Sequence, residues 1–108
     1  MIKNEFIVFN KATTTVTSAN YNTLGADSLY LQVEGTFSNL TLKIKGVMNE
    51  AFVDYCEVGA MDISTNIFSS DIDKTGVYKI DVKGFSKITL EISAFAGTDV
   101  TVGARLVA

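Results

Sequence analysis

The chain has no histidine, no proline and no tryptophan, and its single cysteine is Cys56. One thiol cannot form an internal disulfide, so nothing indicates an oxidising compartment. A nucleophilic role for Cys56 would need a histidine partner that the sequence lacks. We therefore predict that Cys56 is a small residue in or near the core.

Clustered positive charge and long apolar runs are also missing. The net charge is −3 and there is no basic run, which argues against a nucleic-acid partner because phosphate neutralisation needs clustered Lys and Arg. No segment approaches the ~20 apolar residues that cross a bilayer as a helix, which argues against a membrane partner. The N-terminus carries only a four-residue apolar run, at 6–9, so we expect synthesis in a cytoplasm without a signal peptide.

Groups that could carry catalysis are scarce. The sequence contains no Gly-rich phosphate loop, no zinc-type cysteine and histidine cluster and no nucleophile elbow. We therefore expect no enzymatic activity and no cofactor. Calcium is the weak alternative, because hard cations bind carboxylate oxygens, although no EF-hand spacing is present. The acidic residues concerned are Asp54, Glu57, Asp62, Asp71 and Asp73.

Strand-forming residues are what the sequence does contain. Thr, Val and Ile are abundant, and four Tyr and seven Phe accompany them. Alternation of apolar and polar residues predicts five strands: 28–34, 40–45, 78–83, 87–93 and 100–106. Turns are predicted between the strands at Asn39, Asn49, Gly76, Gly84 and Gly97. Together these features predict an all-β fold, an antiparallel, jelly-roll-like β-sandwich of about eight strands.

Several further segments are less regular. Residues 6–9 suit a strand buried on both faces, and residues 13–17 suit an edge strand or an arm. We favour a strand at 52–58, although residues 47–55 also fit a helical stripe capped by Asn49. Residues 63–68 fit a short strand or a loop. The whole chain, 1–108, is predicted to be one domain, with 1–20 as an N-terminal edge strand or arm.

A weak internal repeat aligns residues 25–33 with 84–92 and residues 40–42 with 100–102. Each copy consists of a glycine turn, a strand, a loop and a strand. One interpretation is a pair of equivalent hairpins that face each other across the sandwich. The other is that any two hairpins with the same alternation look alike.

Three tyrosines, Tyr30, Tyr21 and Tyr55, are candidate ligand-facing residues, because amphipathic rings can serve as platforms for sugars. Tyr30 falls on the polar face of its strand, although cross-strand packing is the favoured interpretation there. The mean hydropathy of +0.26 is high for a small chain. It predicts that copies of the protein or a partner cover some apolar surface.

Residues 76–94, punctuated by Gly76, Tyr78 and Gly84, are followed by a Val-Thr-Val strand at 100–102. This pattern resembles small structural proteins of tailed bacteriophages and prophages, and residues 40–46 resemble an earlier hairpin of that family. The resemblance implies a virion component, either a capsid accessory or decoration protein or a module associated with the tail, baseplate or fibre. It implies assembly as a homo-oligomer, a trimer by our expectation, and contacts with other virion proteins. The alternative is a carbohydrate-binding module for host-surface glycans.

Overall fold

A computed structural model describes residues 1–49, 51–52 and 54–108. Within them the chain is all-β and antiparallel, with no helix that could cross a membrane. The nine strands are β1 (Ile2–Ala12), β2 (Val16–Thr17), β3 (Tyr21–Asn22), β4 (Ser28–Val47), β5 (Cys56–Val58), β6 (Ala60–Asp62), β7 (Ile67–Ser69), β8 (Gly76–Asp81) and β9 (Lys87–Val107). The sheet order is β1-β9-β4-β8-β6-β7; β2 and β3 also pair with β9, and β5 pairs with β4. The predicted fold class is confirmed.

The longest strands, β4 and β9, pair along their whole length and fold back on themselves together. Twenty extended residues would span about 66 Å, whereas the molecule is only 36 Å in its longest dimension. The loop between β8 and β9 holds the two ends of β4 near each other. Its Val82 amide donates to the Asp27 carbonyl (3.1 Å), and its Ser86 amide donates to the Val47 carbonyl (2.8 Å).

The bend divides the sheet into two packed layers. Layer A contains β1, β6, β7 and β8 with residues 28–34 of β4 and 100–107 of β9. Layer B contains β2, β3 and β5 with residues 40–47 of β4 and 87–93 of β9. The alternating apolar side chains of both layers form one buried cluster between them, as predicted. Ile72, from the β7–β8 loop, completes this core and exchanges two backbone hydrogen bonds with Leu42.

Two glycines make the bend sterically accessible. Gly35 and Gly97 have φ angles of 143° and 155°, which residues with a Cβ rarely adopt. A Cβ on Gly97 would lie 2.3 Å from the Cα of Phe37. The predicted turns at Asn39 and Gly97 are therefore wrong. Both residues lie inside long strands, where bulges shift the register and bend the sheet without ending the pairing.

The internal repeat is real in three dimensions. Gly25 and Gly84 both have positive φ, 72° and 92°, in the loops that precede β4 and β9. Three pairs of matching backbone hydrogen bonds close the two loops. Within the loops, Ala26 N donates to Thr23 O as Phe85 N donates to Val82 O; to the strand ends, Asp27 N donates to Val107 O as Ser86 N donates to Val47 O; and between the loops, Thr23 N donates to Ser86 O as Val82 N donates to Asp27 O. Each copy is one glycine loop followed by one bent strand, so the interpretation as two hairpins is corrected. The copies exchange equivalent hydrogen bonds, which is the pattern that a two-fold arrangement produces.

The N-terminal segment forms the edge of layer A. Within the predicted strand at 6–9, Phe9 is buried while Ile7 is 59% exposed. The prediction that this strand is buried on both faces is therefore wrong, because one face of β1 is turned to solvent. Of residues 13–17, Val16 and Thr17 form an edge strand beside β9, which is one of the two predicted alternatives.

The segment 47–58 contains a turn followed by a short strand. Asn49 Oδ1 accepts a hydrogen bond from the Ala51 amide (2.9 Å), and the predicted strand is confirmed only at β5. Residues 52, 54 and 55, which the prediction also placed in the strand, have no regular secondary structure, and residues 50 and 53 lie outside the described residues. Cys56 is exposed, contrary to prediction. It is the first residue of the edge strand β5, where its thiol donates to the Gly46 carbonyl (3.4 Å).

Candidate binding surface on layer A

The outer face of layer B is a ladder of charged residues. Lys43 Nζ lies 3.1 Å from Glu57 Oε1, and Lys45 Nζ lies 3.1 Å from Glu91 Oε1. The hydrogen bond to Glu57 raises the pKa of Lys43. Opposite charges on adjacent antiparallel strands stabilise a solvated sheet face. We assign this charged part of the outer face of layer B to solvent.

The outer face of layer A combines exposed apolar side chains with charged ones. Residues that pair directly across antiparallel strands point to the same face, and successive pairs follow one another across the layer. Ile7 is opposite Gly103, Tyr30 is opposite both Arg105 and Lys79, Lys79 is opposite Met61, and Met61 is opposite Phe68. Ile7 and Phe68 are 59% and 72% exposed. The two outer faces therefore differ in kind, although the repeat makes them equivalent in backbone.

A shallow groove of about 600 Å³ runs over Gly103 on this face. Because Gly103 has no side chain, the strand surface is lowered there between its neighbours. A Cβ at Gly103 would lie 3.7 Å from Ile7 Cδ1, which is ordinary contact. The groove is lined further by Tyr30, Gln32 and Val77. The floor is therefore backbone and the walls are largely apolar.

The polar groups of the groove are paired with near neighbours. Arg105 Nε lies 2.5 Å from Glu5 Oε1, which balances the two charges of the lining. Gln32 Nε2 donates to Glu34 Oε1 at 2.8 Å, outside the lining itself. These groups are solvent-accessible, so the groove presents both hydrogen-bond donors and acceptors at no net charge.

The structure separates the three candidate tyrosines. Tyr30 lies in the groove, on the outer face where alternation predicts it. The Tyr21 ring packs on Phe6, with ring centroids 4.5 Å apart, and this contact joins β3 of layer B to β1 of layer A. Tyr55 is half-buried beside β5 in layer B. The sequence did not single out Ile7, Val77 and Gly103; the available signal was an apolar residue or a glycine at a position where alternation expects a polar side chain.

The acidic residues serve structural roles where their contacts are described. Asp62 Oδ1 accepts from the Ser64 hydroxyl (2.7 Å) and amide (2.9 Å) in the turn after β6. These hydrogen bonds lower the pKa of Asp62. Glu57 is held by Lys43. Over 1–49, 51–52 and 54–108, no three acidic or cysteine side chains come close enough together to hold a metal ion.

Two solved structures share this fold. The SPBc2 prophage-derived protein YomS superposes with a TM-score of 0.85 at 20% identity, over 97% of this chain and 92% of that one. The PBSX exported protein XepA superposes with a TM-score of 0.88 at 21% identity, over 97% of this chain but only 37% of that one. No curated protein sequence matches the chain.

The XepA family model matches residues 3–106. That range spans all nine strands almost completely, including the edge strand β1 and both long bent strands. The resemblance to prophage proteins noted in the sequence is therefore confirmed at the level of the family. The chain belongs to the XepA family.

Proposed function

We propose that this protein is a non-enzymatic phage or prophage structural protein that assembles with copies of itself. The observation that carries the proposal is the pair of free sheet edges, β1 and β7, at opposite ends of the strand order. Unpaired backbone groups on an edge strand are a template for another chain. Exposed apolar side chains flank both edges: Ile2 and Ile7 on β1, and Ile67 and Phe68 on β7.

The position of the two edges favours a ring. When the β7 edge of one copy joins the β1 edge of the next, the contact is head-to-tail, and such contacts close into rings when the rotation between copies permits. A trimer is the specific assembly that we propose. Burial of Ile67 and Phe68 would remove two of the most exposed apolar side chains from water, and full burial of such a side chain stabilises by about 1.5–3 kcal/mol.

Attachment to the virion, as a capsid accessory or a module of the tail or baseplate, is the second part of the proposal. Membership of the XepA family supports it, because YomS, which has the same fold, is a prophage-derived protein. The absence of catalysis is supported by the use of charged residues in cross-strand pairs on both outer faces.

The decisive measurement is the native mass of the full chain across a concentration series, by sedimentation or light scattering. We expect the wild type to be an oligomer. We expect Phe68→Lys to be monomeric, because burial of an ammonium in the interface between copies is costly. Met48→Lys is the matched control: Met48 is 68% exposed but lies outside both edges, so its variant should assemble normally. A wild-type chain that stays monomeric at the highest concentration would refute self-assembly.

Virion attachment is tested separately. A tagged chain expressed during phage production should sediment with purified particles through a density gradient. Recovery of the chain only in the particle-free fraction would refute attachment while leaving self-assembly standing.

A further inference from the structure

We propose that the groove over Gly103 on the outer face of layer A binds an uncharged saccharide. The fold supplies an internal comparison for this surface, because the two-fold repeat gives each groove residue a counterpart on layer B. Gly103 corresponds to Lys43, Arg105 to Lys45, Tyr30 to Thr89 and Gln32 to Glu91. Lys43, Lys45 and Glu91 belong to the charged ladder of layer B. Thr89 is buried and its hydroxyl contacts Ser18. In layer A the same backbone positions build a glycine floor and an aromatic wall.

The size of the surface favours a small ligand over a second copy of the chain. The groove crosses β1, β9, β4 and β8, and its lining reaches from residue 103 to residue 107 along β9. It is therefore about 14 Å by about 13 Å, an area of about 200 Å². A stable protein interface buries about 800 Å² on each partner. The groove volume of about 600 Å³ falls instead within the ~300–1,000 Å³ typical of small-molecule sites.

The charge of the lining favours an uncharged ligand. Glu5 and Arg105 are the two charged residues of the lining, and their ion pair leaves no net charge there; Lys79 lies beside Tyr30, outside the lining. Recognition of a phosphate or carboxylate uses cationic groups that are free to form charge-assisted hydrogen bonds. Here the guanidinium is already shared with a carboxylate, so an anion would compete with Glu5 for it.

The remaining groups match the two surfaces of a sugar. A pyranose has an apolar face, which suits the Tyr30 ring and the Ile7 and Val77 side chains, and a rim of hydroxyls that both donate and accept. The Gln32 amide, Glu5 carboxylate and Arg105 guanidinium provide acceptors and donors around the same groove. An aromatic platform with a few polar groups that set orientation is the usual composition of such a site.

A glycan array carrying uncharged, sialylated and phosphorylated oligosaccharides tests the proposal, with hits measured again by titration calorimetry. We expect uncharged saccharides to bind. Gly103→Val should reduce affinity at least tenfold, because it fills the floor while a β-branched residue suits the strand. Tyr30→Leu should have a similar effect and serves if the first variant does not fold. Lys43→Val, at the equivalent position of layer B, should bind as the wild type does.

Three outcomes would overturn the proposal: no binding of uncharged saccharides, stronger binding of the charged ones, or unchanged affinity in folded variants at both Gly103 and Tyr30. The two proposals share Ile7 but are tested by different variants. Phe68→Lys, which we expect to be monomeric, should keep its saccharide affinity. Loss of assembly with retained binding, or the reverse, would therefore distinguish which of the two proposals fails.

Discussion

Replacement of Gly97 by alanine is the most direct test of the bent-sheet architecture. At φ = 155° a residue with a Cβ is strained, which costs about 1–3 kcal/mol. The new Cβ would also lie 2.3 Å from Phe37 Cα and 2.6 Å from the Thr36 carbonyl oxygen. Both are backbone atoms of the partner strand, so relief requires the bulge itself to move, at a further cost of about 1–3 kcal/mol. The sum, about 2–6 kcal/mol, is a large part of the ~5–15 kcal/mol that stabilises a typical domain.

Urea unfolding followed by circular dichroism measures this loss as a shift in midpoint at unchanged slope. Two glycines provide matched controls. Gly25 has φ = 72° and an added Cβ would meet nothing within 4 Å, so Gly25→Ala should lose only the conformational term, about 1–2 kcal/mol. Gly103→Ala places its Cβ in ordinary contact and should cost about 0.5 kcal/mol or less.

The expected order of destabilisation is therefore Gly97→Ala, then Gly25→Ala, then Gly103→Ala. If Gly97→Ala and Gly103→Ala unfold at the same urea concentration, close approach of the strands at Gly97 does not hold the bend, and our account of the two layers is refuted.

Three further predictions concern side-chain hydrogen bonds. Tyr78→Phe removes a donor to a carbonyl of the β7–β8 loop (2.8 Å) and should cost about 1 kcal/mol. Burial raises the Tyr78 pKa, so the stabilisation by the protonated Tyr78 hydroxyl is complete below about pH 10 and is lost as pH rises through the folded pKa. Tyr78→Phe should therefore unfold less readily in alkali than the wild type, as followed by circular dichroism. The Ser64 hydrogen bonds lower the Asp62 pKa, so the Asp62 carboxylate stabilises the fold above about pH 4. In acid urea titrations, the difference in stability between the wild type and Asp62→Asn should vanish as pH falls through the folded pKa of Asp62. Thr23→Val removes the hydroxyl that donates to the Phe85 carbonyl (2.5 Å) and should cost about 1–3 kcal/mol in urea unfolding, because that hydroxyl is buried.

Each of these predictions has a contradicting result. Equal alkaline sensitivity of Tyr78→Phe and the wild type would mean that ionisation of Tyr78 does not limit stability there. A carboxyl of Asp62 that titrates at the value of free aspartate by NMR would mean that the turn does not hold the charge. Wild-type stability in Thr23→Val would mean that the backbone hydrogen bonds alone close the loop.

Alternation identified the buried side chains of the five predicted strands. Leu29, Leu31 and Leu42 face the core as predicted, because side-chain direction in a strand depends only on the local pleat. The alternation also changes phase between residues 33 and 40, where inward positions pass from odd to even numbers. That change marks an interruption, but it does not distinguish a turn from a bulge. The difference depends on Gly97, about 60 residues away, which lets the partner strand pass close to Phe37.

The candidate site divides in the same way. The outward direction of Tyr30 follows from local alternation, and it agrees with the structure. The groove beside it requires Ile7, Gly103 and Tyr30 to be neighbours, and these residues come from three strands far apart in the chain. Local periodicity carries no information on which strands pair or in which register. The pairing and register of the strands are fixed when both copies of the repeat bend and pack their apolar faces together. That packing also places the groove residues on one outer face and the charged ladder on the other.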